Sequence, residues 1–276
     1  MDKSKVNRVC KSFGLSPNKR LGQSFLVNDD VTNKIICAIS PGKDDEILEI
    51  GPGLGALTDV LIDKAASVTA VEIDNGISKY LEYEFNEKDN FKLIHGDFLK
   101  QEVNGGFNKV VSNLPYYCAS EILFKIAENF NAGEVYVMLQ RDMAERIISG
   151  PGSKSYGSLT VTLGFYYKPK ILFHVSNEAF YPRPEIESSF MSLARRENLL
   201  LKNPEDLALF KRVVKSAFWG RRKIILNSLT ESPHLDFNKM TTEKILKAAG
   251  IPNKERGENL SIDNFVNIVS IIRDID

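Results

Sequence analysis

The sequence predicts an α/β protein: a largely parallel sheet built from βαβ units, followed by a small all-helical domain. Three observations predict it. From Glu46 to about Gln140, short β-branched apolar runs alternate with stretches of helical period, the pattern of parallel strands joined by crossover helices. A glycine-rich turn directly follows the first of those runs. After Arg196 the strand pattern stops and only helical periods continue.

In chain order, strands are expected at Ile47–Ile50, Ser67–Ile73, Phe91–His95, Lys109–Ser112 and Glu134–Leu139. Helices are expected between them over Leu57–Ala65, Ile77–Phe85 and Glu121–Asn129. Two further strands, near Leu159–Tyr167 and Ser188–Leu193, would complete a larger sheet, with Ile171–Val175 also extended. Four helices then follow: Pro204–Phe218, Arg222–Leu229, Thr242–Ala249 and Ile262–Arg273. Gly220, Gly250 with Pro252, and Ser261 as an N-cap punctuate them. A chain of 276 residues suits two domains at roughly 100 to 200 residues each. Residues 1–198 are expected to hold the sheet and a basic N-terminal segment, and residues 199–276 the helical domain.

Composition narrows the function classes. With 43% apolar and 26% charged residues, the chain has enough apolar side chains for a packed core. No apolar run reaches the ~18 to 20 residues that span a bilayer, and Met1–Arg20 lacks the apolar stretch of a signal peptide, so a cytoplasmic protein is expected. Cys10, Cys37 and Cys118 are odd in number and far apart, which suggests neither a disulfide framework nor a zinc cluster. The 3 histidines are scattered, which removes most metal-dependent and hydrolytic mechanisms, and no metal is expected. Formal net charge is +0, but its distribution is uneven. Lys3, Lys5, Arg8, Lys11, Lys19 and Arg20 precede Leu21 against Asp2 alone, and Lys211, Arg212, Lys215, Arg221, Arg222 and Lys223 fall close together. Such patches suit either a polyanion partner or a solvated helix face.

The run Glu49-Ile50-Gly51-Pro52-Gly53-Leu54-Gly55 leaves a buried strand and enters a helix. Glycines there let the backbone turn sharply and approach a ligand that any Cβ would obstruct. About 20 residues further on, at the end of the next strand, Glu72 can accept hydrogen bonds from both ribose hydroxyls of an adenosine, with Ile73 beside it. After the third strand, Gly96-Asp97-Phe98 offers a carboxylate for an adenine amine and an aromatic next to it. Three consecutive strand ends carrying such groups point to an adenosine-containing ligand at the carboxyl edge of the sheet. A dinucleotide and S-adenosylmethionine both satisfy them.

The fourth strand ends in Val111-Ser112-Asn113-Leu114-Pro115-Tyr116, and this segment carries the chemistry. Adenine's exocyclic amine is a poor nucleophile because its lone pair is delocalised into the ring. Accepting hydrogen bonds from both of its N–H groups localises that pair, and the Asn113 side-chain oxygen and the Leu114 carbonyl are suitable acceptors. Pro115 fixes its own φ and biases Leu114 toward an extended conformation. Tyr116 is placed to stack on an extruded base.

With these residues in order, the chain resembles the ribosomal RNA adenine dimethyltransferase family, and most closely its small-subunit (16S) type. The resemblance runs from Lys19-Arg20-Leu21-Gly22-Gln23-Ser24-Phe25-Leu26 to the terminal helices. It includes the glycine loop, Glu72, Gly96-Asp97, the Asn113 tetrapeptide, Phe180-Tyr181-Pro182-Arg183-Pro184, and Arg221-Arg222-Lys223 before Asn227-Ser228-Leu229. It implies a Rossmann-like, seven-stranded methyltransferase domain using S-adenosylmethionine, with a helical C-terminal domain. The implied reaction dimethylates two adjacent adenosines in the 3′-terminal hairpin loop of 16S ribosomal RNA, in the small subunit or its precursor.

By position, the resemblance implies cofactor contacts from Ser24, Leu26, Gly51, Gly53, Gly55, Glu72, Ile73, Asp97, Phe98 and Asn113. It implies that Phe180 holds the target base beside Asn113, Leu114, Pro115 and Tyr116, and that Lys19, Arg20, Arg221, Arg222 and Lys223 contact RNA. A monomer is expected. The chain departs from the family at Ser24, where Asn is usual, at Tyr117-Cys118, where a polar-aliphatic pair is usual, and at Glu185, where Lys is common. Two other readings share these features: a large-subunit (23S) adenine methylase of the macrolide-resistance type, and a ribosome-assembly factor without catalysis. Leu114, the Phe180 loop and the long C-terminal region favour the small-subunit type over the first, and intact Glu72 and Asn113–Tyr116 argue against the second.

Overall fold

The computed structural model describes residues 1–115, 117–220 and 222–275. The expectations placed on Tyr116, Arg221 and the side chain of Lys19 lie outside the described residues. The chain opens with helix α1 (Lys3–Phe13), where Asp2 caps by accepting the Lys5 N–H at 2.7 Å and Val6 and Val9 are buried. Strand β1 (Phe25–Leu26) and helix α2 (Asp29–Ile39) follow. Sequence reading assigns residues 1–20 only a basic character. Yet Val6, Val9, Cys10 and Phe13 sit at the spacing of one helix face, beneath the more numerous basic positions.

The βαβ region then runs as predicted: β2 (Glu46–Ile50), α3 (Thr58–Lys64), β3 (Ser67–Glu72), α4 (Asn75–Glu84), β4 (Phe91–His95), β5 (Lys109–Asn113), α5 (Ala119–Asn129) and β6 (Glu134–Gln140). Helices α6 (Arg141–Ile147) and α7 (Ser158–Tyr166) lead to β7 (Tyr167–Val175), β8 (Phe180–Tyr181) and β9 (Ser188–Arg195). Helices α8 (Pro204–Ala217), α9 (Ile225–Glu231), α10 (Lys239–Ala248) and α11 (Ile262–Ile275) complete the chain.

One expectation is corrected here. Residues Leu159–Tyr167, expected as a strand, form helix α7 up to Tyr166. Every residue from Leu159 to Tyr166 is buried, so the segment has no solvated face to impress a period on its sequence. A short apolar, β-branched run of that kind reads the same whether it is a buried strand or a buried helix.

The seven-stranded sheet has the order β4-β3-β2-β5-β6-β9-β7. Strands β4, β3, β2, β5 and β6 are parallel neighbours, and β9 runs antiparallel to β6, with Glu134 opposite Ala194. The chain moves outward from β2 to β3 and β4, then returns to β2's other side with β5. That reversal opens a crevice at the carboxyl ends of β2 and β5, where open α/β sheets bind ligands.

The chain divides into two compact units. The first comprises residues 1–144 and 169–195, and the second residues 145–168 and 196 onward. In the first, the sheet packs on a core that includes Ile47, Leu61, Val68, Leu81, Val111 and Met138. In the second, α7 to α11 pack through aromatic contacts such as Phe165 on Phe210 at 4.4 Å and Phe218 on Phe265 at 6.0 Å between ring centroids. Among the described residues no helix is long and apolar enough to cross a membrane.

Candidate active site

Three latches bring the strand ends into register. The Ser112 hydroxyl donates to the Ile50 carbonyl at 2.6 Å, tying the end of β5 to the end of β2. The Gly51 N–H donates to Val71 O at 2.9 Å and the Gly96 N–H to Glu72 O at 2.8 Å, tying the loops after β2 and β4 to β3. The cavity that results holds about 1070 Å³ of empty space, its open mouth included. Gly51, Gly53, Glu72, Ile73, Asn113, Leu114 and Pro115 line it from the sheet, and Ser24, Leu26 and Phe180 from elsewhere in the first unit.

The three loop glycines have different physical reasons. All adopt the left-handed conformation, with φ of 67° at Gly51, 56° at Gly53 and 79° at Gly55. A Cβ on Gly51 would meet no atom within 4 Å, so that residue leaves a cradle open. A Cβ on Gly53 would lie 3.3 Å from the Phe25 ring, and one on Gly55 3.1 Å from the Phe85 ring. Gly55 is not on the cavity wall, and its lack of a side chain serves packing against Phe85.

Glu72 is buried, and its carboxylate accepts the Asp74 N–H at 2.9 Å and the Gly53 N–H at 3.3 Å. Burial pushes its pKa up to about 7 against those hydrogen bonds. A second carboxyl, Glu49 at the end of β2, also faces the cavity and accepts the Thr58 hydroxyl proton at 2.7 Å. Burial, with the charge of Glu72 adding to it, pushes Glu49 up to about 7 as well. In the sequence Glu49 stands out only as the first residue of the glycine run. An acidic residue inside a wholly apolar strand end is the signal that could have singled it out.

Asn113 ends β5, and its amide nitrogen donates to the Ser24 carbonyl at 3.5 Å. Asn113 lines the cavity, and its Oδ1 is the acceptor of the side chain. Leu114 donates its N–H to Met138 O at 3.1 Å, which fixes the residue carrying the next carbonyl. Ser24 itself is spent elsewhere: its hydroxyl donates to the Pro182 carbonyl at 2.5 Å. Beside it, β1 pairs antiparallel with β8, Phe25 opposite Tyr181 and Leu26 opposite Phe180. Residues 24–26 and the proline-rich loop are thereby one wall of the cavity, and that wall positions Phe180, which is buried.

Besides Gly55, two expected cofactor residues, Asp97 and Phe98, stand off the cavity wall. Asp97 Oδ1 accepts the Leu99 N–H at 3.0 Å in a side-chain-capped turn, and Oδ2 lies 3.7 Å from Lys100. The Phe98 ring is buried, stacked on Phe130 at 5.8 Å with Lys125 Nζ 4.9 Å from its centroid. Its ring therefore belongs to the core, because an aromatic at a strand exit gains more from burial than from a wet cavity rim. Tyr117, in contrast, lines the cavity although it is 60% exposed. Of the expected RNA contacts, Arg20, Arg222 and Lys223 are exposed, and Lys223 is ion-paired with Glu231. Among the described residues no group of three or more His, Cys, Asp or Glu could hold a metal ion.

The antiparallel β6–β9 pair decides the class. A sheet with β9 turned against β6 and β7 beyond it is the seven-stranded, Rossmann-like fold of S-adenosylmethionine-dependent methyltransferases. A solved dimethyladenosine transferase from Plasmodium falciparum shares this fold with a TM-score of 0.77 and 24% identity, over 91% of this chain and 98% of that one. Within that class, the sequence profile described as ribosomal RNA adenine dimethylase matches residues 14–273. The chain is 39% identical over 276 residues to the ribosomal RNA small subunit methyltransferase A of Clostridium botulinum, covering 98% of this chain and 99% of the relative. It is also 39% identical to the protein of the same name from Fusobacterium nucleatum, over 92% and 96% of the two chains. The chain belongs to the ribosomal RNA adenine dimethylase family and is a methyltransferase.

Proposed function

We propose that the chain transfers methyl groups from S-adenosylmethionine to the N6 amine of two adjacent adenosines in the 3′-terminal hairpin loop of 16S ribosomal RNA. It acts in the cytoplasm, as a monomer, on the small subunit or its precursor. The observation that carries the reading is that Asn113 and Leu114, at the end of β5, line the same cavity as Glu72 and the glycine loop, which brings two acceptors for an amine to a site for an adenosine ligand. The relatives' names and the family profile support the substrate.

The cavity fits the cofactor. Gly51 leaves the space a Cβ would fill, and the Glu72 carboxylate can accept from a ribose diol at the next strand end. When bound, S-adenosylmethionine supplies an electrophilic methyl group. Gly51, Gly53, Ile73 and Leu26 would form the walls that hold it, and Asp97, at the next strand end and off the cavity wall, would offer a carboxylate to its adenine amine. Asn113 Oδ1 and the Leu114 carbonyl accept from both N–H groups of the target amine, localising its lone pair for attack. Phe180 and Tyr116 grip the extruded base. The helical unit, with Arg222 and Lys223, contacts RNA together with the basic segment around Lys19 and Arg20.

The test is to incubate the protein with labelled S-adenosylmethionine and small subunits, large subunits or protein-free 16S RNA, then map the modified bases. Dimethylation of two neighbouring adenosines in 16S RNA is expected. Label confined to 23S RNA would assign the chain to the large subunit, and absence of transfer to any substrate would leave an assembly factor.

A further inference from the structure

Trp219 is the sole tryptophan of the chain, and its side chain is 52% exposed. It stands in the second unit just after α8, and its surroundings are basic. The Trp219 N–H donates to Ser216 O at 3.1 Å and the Phe218 N–H to Val214 O at 3.3 Å, in the turn that ends α8. Lys211 and Lys215, four residues apart on α8, share one helix face and are exposed, as is Trp219 two residues past the helix end. Arg222, three residues further along the chain, is exposed too. Neither Lys215 nor Arg222 forms an ion pair among the described residues, so their charge is uncompensated.

The ring is also held. His234 meets it edge to face, 5.5 Å between centroids at 90°. The His234 carbonyl in turn accepts from Arg212 Nε at 2.7 Å, which ties that loop to α8. A large apolar ring fixed in position, half in water, in a stretch of chain that also exposes Lys215 and Arg222 is poorly explained by packing, since burying it would be favourable. It matches the recognition of single-stranded nucleic acid, in which cations track phosphates and an aromatic face takes an unpaired base.

We propose that the Trp219 indole is a stacking platform for an unpaired base of RNA lying along the Lys215–Arg222 surface. This rests on the reading of the chain as an enzyme acting on RNA, and adds a contact apart from the base to be methylated. Stacking releases no counterions, so its signature differs from that of the cations around it.

Because no other tryptophan is present, the emission of the unaltered protein, excited where indole but not tyrosine absorbs, reports on this ring alone. Titration with protein-free 16S RNA is expected to quench it saturably, at the same concentrations that give binding on filters. Trp219→Ala should weaken RNA binding ~5- to 150-fold, the range of base–aromatic stacking, with an unchanged salt slope. Trp219→Phe should fall between Trp219→Ala and the parent, and both variants should keep parental cofactor affinity as the control for folding. RNA binding without a change in emission, or Trp219→Ala binding like the parent, would overturn the proposal, as would failure to bind RNA at all. Methyl transfer is scored separately: quenching without transfer to any RNA would sink the enzymatic reading and keep this contact, and transfer without quenching would do the reverse.

Discussion

Cofactor binding should be linked to the ionisation of Glu72. Burial holds this carboxyl at about 7 in the free protein, while a ribose diol donates two hydrogen bonds most favourably to the ionised form. The sign follows: below about pH 7 Glu72 is protonated and must lose its proton on binding, so affinity is full above that value and falls as pH drops. With a free-protein pKa near 7 and a much lower one in the complex, the dissociation constant should rise about 30-fold between pH 8 and pH 5.5. Calorimetry in two buffers of different ionisation enthalpy should find about half a proton released at pH 7 and nearly one at pH 6. Glu72→Gln should bind roughly 10- to 100-fold more weakly at pH 8, the range for a hydrogen bond to a charged group, and lose the pH dependence. Glu49→Gln should keep it. A flat affinity profile in the parent would refute the linkage, and a profile flattened by Glu49→Gln instead would move the titrating group to β2.

Three further outcomes are expected. Asn113→Ala, assayed at saturating S-adenosylmethionine, should lose on the order of a hundredfold in single-turnover methylation while RNA affinity changes little, because its hydrogen bond strengthens toward the transition state; near-normal turnover would remove Asn113 from the chemistry. Glu49, at about 7 when folded and 4.5 ordinarily, binds its proton more tightly in the native state, so its contribution to stability is lost as pH rises. Urea unfolding of the cofactor-free parent should therefore show about 2 kcal/mol more loss between pH 5.5 and pH 8 than Glu49→Gln does, and equal losses would count against a buried, titrating carboxyl. Arg222→Ala should make the salt dependence of RNA binding shallower by about one phosphate contact, and Lys223→Ala by less, since Glu231 already compensates that ammonium; identical slopes in all three proteins would return both residues to the solvent.

The sequence by itself determined what local pattern can carry. The βαβ alternation was legible because strands buried on both faces and helices buried on one differ in run length and period. The glycine loop, Glu72 and Asn113 stood out as candidates because they lie at strand ends, where open α/β sheets bind ligands, and the structure places Gly51, Gly53, Glu72 and Asn113 on one cavity. Where a segment lacks a solvated face the signal fails, and α7 was read as a strand for that reason.

Only the tertiary structure decided which side chains line the cavity and in what environment. Ser24 and Pro182 are 158 residues apart, and their hydrogen bond, with the β1–β8 pairing, turns two loops into one cavity wall. No local spacing encodes such a pairing, since its register depends on the sheet that holds both loops. The same holds for Gly55, whose neighbour is Phe85, and for Phe98, whose ring the core takes in place of the cavity. Glu49 and Glu72 are ordinary carboxyls in the sequence. Their pKa values near 7 arise from the desolvation that surrounding chain imposes, which is a property of the folded volume and not of the residues.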